Sequence, residues 1–381
     1  MTATPVTAPR AHAPERPLVH ALAACAGLAA AMGVGRFAYT PLLPVLIDAH
    51  RLDAHSGAIV AAANYAGYLL GAVALARVPK LNGPAVFRLS AIALVLSEAL
   101  MALPISSSVA AGSRLVAGVA SAVIFVGCAR AMAAVGGRYG AGIAFAGVGL
   151  GIALTGALVL AAGSVVSWLG MWVGAAVLTA VLVAPALRLP IPETVASSGR
   201  AHRSGGPWRL LLAAYFLEGL GYIIIGTFLV AAVGGSGDAA LAPASWVVVG
   251  VAAAPATVVW GALARRWSAA AVLPVALFAQ MLSAVLLAVS AGTWQVVVAA
   301  ALFGATFMGI TLLAMEVGGR VRGAAAAASL TAVYGAGQLL GPLVVAPLLG
   351  SGYGAAFAVA AVVLATGVVC AMGVTRAIAT P

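Results

Sequence analysis

The sequence predicts an all-α integral membrane protein with twelve transmembrane helices in two parallel six-helix halves. Of its 381 residues, 64% are hydrophobic and 7% are charged, whereas about a quarter of the residues in an average soluble domain are charged. A helix of roughly 20 residues crosses the hydrocarbon core of a bilayer, so twelve such helices with short connections use nearly the whole chain. Little room remains for a separate soluble domain.

Twelve apolar runs, each bounded by Gly, Pro, Arg or Trp, supply the predicted helices. The polar, Pro-rich residues 1–17 precede the first run and are predicted to form a disordered cytoplasmic tail. Residues 191–207 separate the sixth run from the seventh as a central cytoplasmic loop, which places the two halves at 18–190 and 208–376. The runs cover about residues 18–47, 56–78, 85–105, 111–135, 139–163, 167–188, 208–233, 242–264, 269–290, 294–318, 323–350 and 354–376.

Short motifs recur 186 to 188 residues apart and indicate that the two halves are parallel copies. One match alone is weak in a chain with 46 glycines, but four helix pairs share nearly the same offset. Two halves related in this way enclose a site near the bilayer midplane, which opens to each side in turn when the halves rock. The matches are 33–35 with 219–221, 75–77 with 263–265, 147–149 with 335–337, and Gly118 with Gly304.

The positive charges orient the chain rather than bind nucleic acid. Lys and Arg exceed Asp and Glu by 11, but they occur in ones and twos between apolar runs and form no stripe that could follow a phosphate backbone. With a cytoplasmic N-terminus, the inner connections hold most of these cations, and Arg51 is nearly alone outside. The positive-inside rule then predicts a multi-pass protein of the cytoplasmic (inner) membrane with both termini inside.

Several function classes are disfavoured by what the sequence lacks. It has no phosphate-binding GxxxxGK[ST] loop, which argues against a pump driven by ATP. Its five histidines lie in predicted tails, loops or helix ends, and its three cysteines share no ligand spacing, so we expect no enzyme activity, metal or cofactor. A secondary transporter is favoured. The alternative is a non-transporting membrane sensor or scaffold on the same fold.

Four segments carry a resemblance to a known family. They are GVGRFAYTPLLPVL at 33–46, NYAGYLLGA at 64–72, EGLGYIIIGTFLV at 218–230 and LFGATFMGITLLA at 302–314. On these residues the chain resembles the major facilitator superfamily over essentially its whole length, and within it the uncharacterised YbfB-type branch. The resemblance implies a monomer in the lipid bilayer that moves a small-molecule substrate by alternating access, coupled to protons, with export as one possible direction.

The general motifs of the superfamily are matched in part. Arg114, four residues before Gly118, resembles the helix 4 motif that is associated with coupling in proton-coupled members. Residues 71–80 occupy the place of the gating motif between helices 2 and 3, but the usual Asp is replaced by Leu75 or Ala76. Helix 5 has the glycines of the antiporter motif without its Gly-Pro pair, which weakens an identity as a drug antiporter.

Two ionisable residues are predicted near the midplane, where such residues usually face a cavity or a partner. Arg36 lies deep in helix 1 and is predicted to anchor an anionic group of the substrate, because guanidinium offers a planar donor fork. The alternative is a structural ion pair. Glu218 lies about 15 Å into the membrane and is predicted to be the coupling proton site, the alternative being a permanently paired or neutral carboxyl group. Since Arg36 corresponds to Tyr222 in the repeat, one turn from Glu218, we expect a contact between Arg36 and Glu218.

Further candidates are assigned to coupling, gating and substrate binding. Glu98 and Arg114 lie at similar depth in neighbouring antiparallel helices and are predicted to form a salt bridge, with either a coupling role or a structural one. Arg77, Arg130, Arg265 and Glu316 lie near inner helix ends and are predicted to form a cytoplasmic gate or brace. Uncharged polar residues are predicted to line the cavity or, alternatively, to hydrogen-bond between helices: Tyr39, Asn64, Tyr65, Tyr222, Tyr334 and Gln338.

Overall fold

The predicted helices are present in the computed structural model, which describes residues 17–135, 140–192, 205–234, 240–289, 292–323 and 326–379. Within these ranges, eleven helices are long and apolar enough to cross a membrane, and one bent helix pair makes a twelfth span. This confirms the all-α fold. The spans are α1 (Pro17–Asp48), α2 (Ala54–Arg77), α3 (Pro84–Met101), α4 (Ser107–Val135), α5 (Gly140–Ala162), α6 (Trp168–Val183), α7 (Gly206–Gly234), α8 (Leu241–Ala253 and Ala256–Trp267), α9 (Ala269–Ala288), α10 (Thr293–Arg322), α11 (Ala326–Val345) and α12 (Gly354–Ala379).

Because the spans alternate in direction, α1 begins and α12 ends at the same side of the bundle. We call this side the termini face and the other side the opposite face. The predicted tail at 1–17 and the predicted loop at 191–207 lie mostly outside the described residues, so their boundaries stay predictions.

Helix α1 is broken where it carries the first candidate site residue. Its α-helical start, Pro17–Leu28, passes into a π-helical segment, Ala29–Val34, and a turn at 35–38 precedes the second α-helical part, Tyr39–Asp48. A π-helical turn replaces i→i−4 bonds by i→i−5 bonds, as in the bond of 2.7 Å from Gly35 N to Ala30 O. The break leaves backbone carbonyls near Arg36 available to other helices.

Glycine contacts inside the two halves follow the repeat. A Cβ atom at Gly33 of α1 would lie 2.3 Å from the Cα atom of Gly151 in α5. In the second half, a Cβ atom at Gly337 of α11 would lie 2.3 Å from Phe216 O and 3.2 Å from the carbonyl carbon of Gly219 in α7. Gly219 follows Gly33 by 186 residues and Gly337 follows Gly151 by 186, so this contact repeats at 186 rather than at the 188 of the matched motif 147–149. The same helix pair is therefore closely packed through small residues in both halves.

The halves meet most extensively along two helix pairs, α2 with α11 and α5 with α8. At the second of these, a Cβ atom at Gly149 would lie 2.4 Å from Ala254 N, and one at Gly250 would lie 2.2 Å from Ala153 N. Helix α8 bends by 41° at the adjacent break before Ala256, where Pro255 cannot donate a backbone hydrogen bond. Close backbone contact between the halves thus depends on the absence of side chains at 149 and 250.

Helices α1 and α7 touch at equivalent residues. A side-chain nitrogen of Arg36 donates to the Tyr222 hydroxyl, and the Thr40 hydroxyl donates to Gly226 O. Both pairs are separated by 186 residues, which is the repeat offset. Residues related by a two-fold operation can touch each other only beside its axis, so the pseudo-two-fold axis passes between α1 and α7 at Arg36.

A capping box fixes the start of α2 at the opposite face. The Asp53 carboxylate accepts from the backbone N–H of Ser56 at 2.7 Å, and the Ser56 hydroxyl accepts from the backbone N–H of Asp53 at 2.9 Å. The bonds that Ser56 donates through its backbone N–H and its hydroxyl hold the pKa of Asp53 below its usual value.

We expect Asp53→Ala to lower the stability of the protein by about 1 kcal/mol at pH 7. A carboxyl group whose pKa is lowered on folding stabilises the protein above its unfolded pKa, and this contribution is lost as pH falls through the folded pKa. The difference between Asp53→Ala and wild type should therefore shrink below about pH 4, which unfolding measurements across pH would check. A difference that grows on acidification would contradict the capping role.

Candidate functional site

Arg36 joins the two halves at the centre of the bundle. Its side chain is 2% exposed, and its Nη2 atom donates to Gln338 Oε1 of α11 and, at 3.5 Å, to the Tyr222 hydroxyl of α7. Gln338 Nε2 donates to the same hydroxyl at 2.9 Å. The guanidinium group of the first half is thus held by an amide and a phenol of the second half.

Aromatic rings surround the same guanidinium group. Its Cζ atom lies 4.3 Å from the ring centroid of Tyr68, 5.2 Å from that of Tyr65 and 5.4 Å from that of Phe37. These distances are in the range of cation–π interactions. The Tyr65 hydroxyl is 3.0 Å from the Thr227 hydroxyl of α7, which adds a further bond between the halves.

A row of parallel rings extends from Tyr222 through the second half. The rings of Tyr215 and Tyr334 have centroids 4.5 Å apart, and those of Tyr334 and Tyr222 are 5.4 Å apart. Phe307 continues the row at 5.9 Å from Tyr222, with the two ring planes 7° apart. A wall of stacked rings therefore stands beside the cation, and Tyr334 is the partly exposed member.

Glu218 is fully buried one turn nearer the termini face, and its partners lie in its own half. Its Oε1 atom accepts from Gln280 Nε2 of α9 at 3.2 Å, and Gln280 Oε1 accepts from the Thr306 hydroxyl of α10 at 3.1 Å. The expected contact between Arg36 and Glu218 is wrong. Instead, the guanidinium group of Arg36 donates to Tyr222 and Gln338, and the carboxyl group of Glu218 accepts from the amide of Gln280 in α9.

Arg114 of α4 is bonded to the broken part of α1. Its Nη2 atom donates to Gly35 O at 2.6 Å and to Arg36 O at 3.2 Å. The expected salt bridge to Glu98 is wrong, since no pair of these atoms comes within 4.0 Å; the break in α1 offers Arg114 two carbonyls. Glu98 is fully buried beside Thr179 of α6, and neither side chain reaches hydrogen-bond geometry.

Two cavities between the halves lie on either side of this centre. One, of about 620 Å³, lies toward the termini face between α2 and α11 and is lined by Arg77, Asn82 and Thr331 among others. The other, of about 390 Å³, lies toward the opposite face among α1, α5, α7 and α8. The cluster of Arg36, Tyr222 and Gln338 lies between the two cavities, lines neither of them and is buried from both faces.

Residues 28–375 match the model of a family described as uncharacterised MFS-type transporter YbfB. The chain belongs to the major facilitator superfamily. It is a multi-pass membrane transporter of this superfamily, and the resemblance of the four sequence segments is confirmed. No curated protein matches the chain.

Solved structures agree with the superfamily fold. A crystal structure of the nucleoside transporter NupG matches at 15% identity and a TM-score of 0.70, over 97% of this chain and 100% of that one. A single-residue variant of NupG matches at 15% identity and a TM-score of 0.68, over 94% of this chain and 99% of that one. At this identity the likeness establishes the fold alone.

The predicted gate residues of this superfamily member lie at the termini face without contacting one another across the halves. Arg130 donates to Asn82 O of the first half at 3.2 Å and to Pro192 O at the start of the predicted central loop. Glu316 pairs with Arg320, one turn along α10, at 2.6 Å. Arg77 and Arg265 are exposed. The role of the four residues as a cytoplasmic gate or brace stays a prediction.

The remaining predicted polar residues divide between the central site and helix packing. Tyr65 and Tyr334 join the central cluster. Tyr39 instead donates to Gly57 O at 3.0 Å, and Asn64 Nδ2 donates to Arg114 O at 2.9 Å, so both connect helices of the first half.

Sequence reasoning missed Gln280, Thr306, Thr227 and Tyr215. Gln280 had a usable signal, because it is an amide inside an apolar run, as Gln338 is. The two threonines and Tyr215 had none, since Thr and Tyr are common in membrane helices without a functional role.

Proposed function

We propose that the protein is a secondary active transporter that moves a small organic solute with an anionic or polar group by alternating access, coupled to protons. The observation that carries this proposal is the guanidinium group of Arg36, which crosses between the halves and has only neutral hydrogen-bond partners. A solute that takes this group from Gln338 and Tyr222 breaks contacts between α1 and the second half. Solute binding is then linked to the rocking of the halves.

We propose that the termini face is cytoplasmic and that the protein resides in the cytoplasmic membrane. The termini face carries exposed Arg77, Arg265 and Arg320, whereas Arg51 lies at the opposite face. Short loops rich in Lys and Arg stay in the cytoplasm during insertion.

We propose Glu218 as the principal proton site, with Glu98 and Arg114 as a second site in the first half. Glu218 has one oxygen bonded to Gln280 and one without a partner among the described residues. An ionised carboxylate in this position, without a cation beside it, is costly. A conformation that opens a cavity toward α7 would let Glu218 exchange its proton with that side.

A ligand screen followed by a flux measurement tests the transport function. Purified protein is heated with metabolites and drugs at two pH values, because a ligand of the folded state raises the unfolding temperature. Nucleosides belong in the library because NupG, which has a similar fold, is a nucleoside transporter. Each stabilising compound is then assayed for counterflow in liposomes. Counterflow supports transport, whereas ligands that stabilise the protein and never cross the bilayer would support the sensor or scaffold alternative.

We expect Glu218→Gln to abolish accumulation driven by a pH gradient while counterflow of the same solute continues. An amide keeps a hydrogen bond to Gln280 but cannot release a proton, so exchange without net proton movement survives. Uptake in reconstituted liposomes at several external pH values checks this. Asp53→Asn is the control, because it retains the α2 cap and should accumulate solute like wild type. Normal pH-driven accumulation by Glu218→Gln would exclude Glu218 as the proton site.

A further inference from the structure

Arg36 is a buried cation whose described side-chain hydrogen-bond partners are all uncharged, and the one charged side chain bonded to its backbone, Arg114, is a second cation. Its hydrogen-bond acceptors are an amide oxygen and a phenol, the rings of Tyr65 and Tyr68 cover it, and its Nε atom has no partner. A buried charge without a counter-charge is strongly unfavourable. The carboxyl group nearest along α7, that of Glu218, is bonded to Gln280. The site as built therefore lacks one negative charge.

The geometry of the donor group selects among anions. Guanidinium presents parallel N–H donors in one plane, which match the two oxygens of a carboxylate. In the structure this fork is engaged through Nη2 alone, by the single amide oxygen of Gln338 and by Tyr222. A carboxylate in the place of the amide oxygen would engage two donors and neutralise the charge.

The row of rings beside Arg36 favours a planar ring in the part of the ligand that does not carry the charge. The planes of Tyr334 and Phe307 each lie within 7° of the plane of Tyr222. Parallel rings pack against a further planar ring better than against a puckered or branched group, because offset stacking needs flat faces. Tyr222 belongs to the row and its hydroxyl also accepts from Arg36 at 3.5 Å, so the charge and the flat rings lie side by side.

We propose that the central site binds a planar aromatic carboxylate, with its carboxylate on Arg36 and its ring against the row of Tyr222, Tyr334 and Phe307. This assignment rests on the proposed transport function and narrows its substrate class. Gln338 holds the guanidinium group when the ligand is absent, and the ligand replaces that bond on binding.

The assignment can be tested with three small probes, of which two each lack one feature of the third, either the aromatic ring or the negative charge. Benzoate has the ring and the charge, cyclohexanecarboxylate has the charge alone, and benzamide has the ring alone. At millimolar concentration and pH 7, we expect benzoate to raise the unfolding temperature of the wild-type protein by several degrees, and each of the others to give less than half that shift. Equal shifts from benzoate and either other probe, or no shift from benzoate, would overturn the proposal.

Gln338→Glu supplies the missing charge from the protein itself. The new carboxylate lies where the amide oxygen meets Arg36, so we expect the variant without ligand to unfold at a higher temperature than wild type. We also expect its apparent affinity for benzoate, taken from the unfolding-temperature shift, to be at least tenfold lower. Gln295→Glu, near the start of α10, adds the same charge elsewhere and should leave the benzoate shift unchanged. A Gln338→Glu protein that binds benzoate like wild type would contradict the site.

The outcomes separate this assignment from the transport function. If benzoate raises the unfolding temperature of the wild-type protein but radiolabelled benzoate shows no counterflow in liposomes, the proposed ligand class is supported and the proposed transport of this ligand is not. If benzoate gives no shift and a compound of another class shows counterflow, transport stands and the ligand class is wrong.

Discussion

Arg36→Met is expected to reduce transport at least 100-fold while leaving the protein as stable as wild type or more stable, by up to about 3 kcal/mol. Methionine fills much of the volume of the arginine stem and removes an uncompensated buried charge. Gln338 Nε2 and the Tyr222 hydroxyl keep their bond of 2.9 Å, so in the second half Gln338 Oε1 and the Tyr222 hydroxyl each lose one donor but only Oε1 loses the partner that satisfied it. Transport is lost because no donor remains for the anionic group.

The control is Arg114→Met, which removes a buried arginine with a different role. Arg114 donates to two backbone carbonyls in the broken part of α1, and those carbonyls would lose their partner. We expect this variant to be less stable by about 2 to 4 kcal/mol. Denaturant titration of both purified proteins in micelles, with counterflow of a solute found in the ligand screen, makes the comparison. A loss of several kcal/mol in Arg36→Met would mean that Arg36 is a structural brace, and the anion site would be withdrawn.

The number and order of the helices could be predicted because the bilayer imposes them. Hydrocarbon thickness sets the length of each span, so apolar runs gave all twelve spans within a few residues. The breaks could not be predicted in this way. The π-helical segment Ala29–Val34 is as apolar as its surroundings, and it packs against α4, α5 and α6, which are distant in the sequence. The bend in α8 had a visible cause in Pro255, but proline alone does not fix an angle.

Part of the site could be predicted from the sequence repeat. The offset of 186 aligned Arg36 with Tyr222, and residues aligned in this way meet when they lie on the pseudo-two-fold axis. The offset carries no information on how side chains choose partners. Arg114 donates to carbonyls that are available because α1 is broken. Glu218 accepts from the amide of Gln280 in α9, and an uncharged amide is hard to recognise as a partner from the sequence. In both expected ion pairs the arginine bonds to neutral acceptors instead of to the carboxyl group.

Two glycine substitutions of the same size are expected to fail in different ways, because one glycine lies inside a half and the other between the halves. A Cβ atom at Gly33 would lie 2.3 Å from Gly151 Cα, and one at Gly250 would lie 2.2 Å from Ala153 N. Both clashes are with backbone, so neither can be relieved by a side-chain rotation. In Gly33→Val, α1 and α5 must separate within one unit. We expect the yield of monodisperse protein to fall more than tenfold.

In Gly250→Val, the clash is relieved when the halves rock apart along α5 and α8, so we expect folded protein that is trapped in one conformation and transports nothing. Val247 packs against Gly156 at the same contact, and a Val247→Cys thiol in a Cys370→Ala background reports on its opening. The Val247→Cys thiol should be labelled faster in the protein that also carries Gly250→Val. Gly319→Val is the control and should leave the labelling rate unchanged, because a Cβ atom at Gly319 has nothing within 4 Å. Unchanged labelling together with full transport in Gly250→Val would mean that the halves do not separate along α5 and α8. Alternating access would then need another pivot, because among the described residues it is here that backbones of the two halves come closest to direct contact.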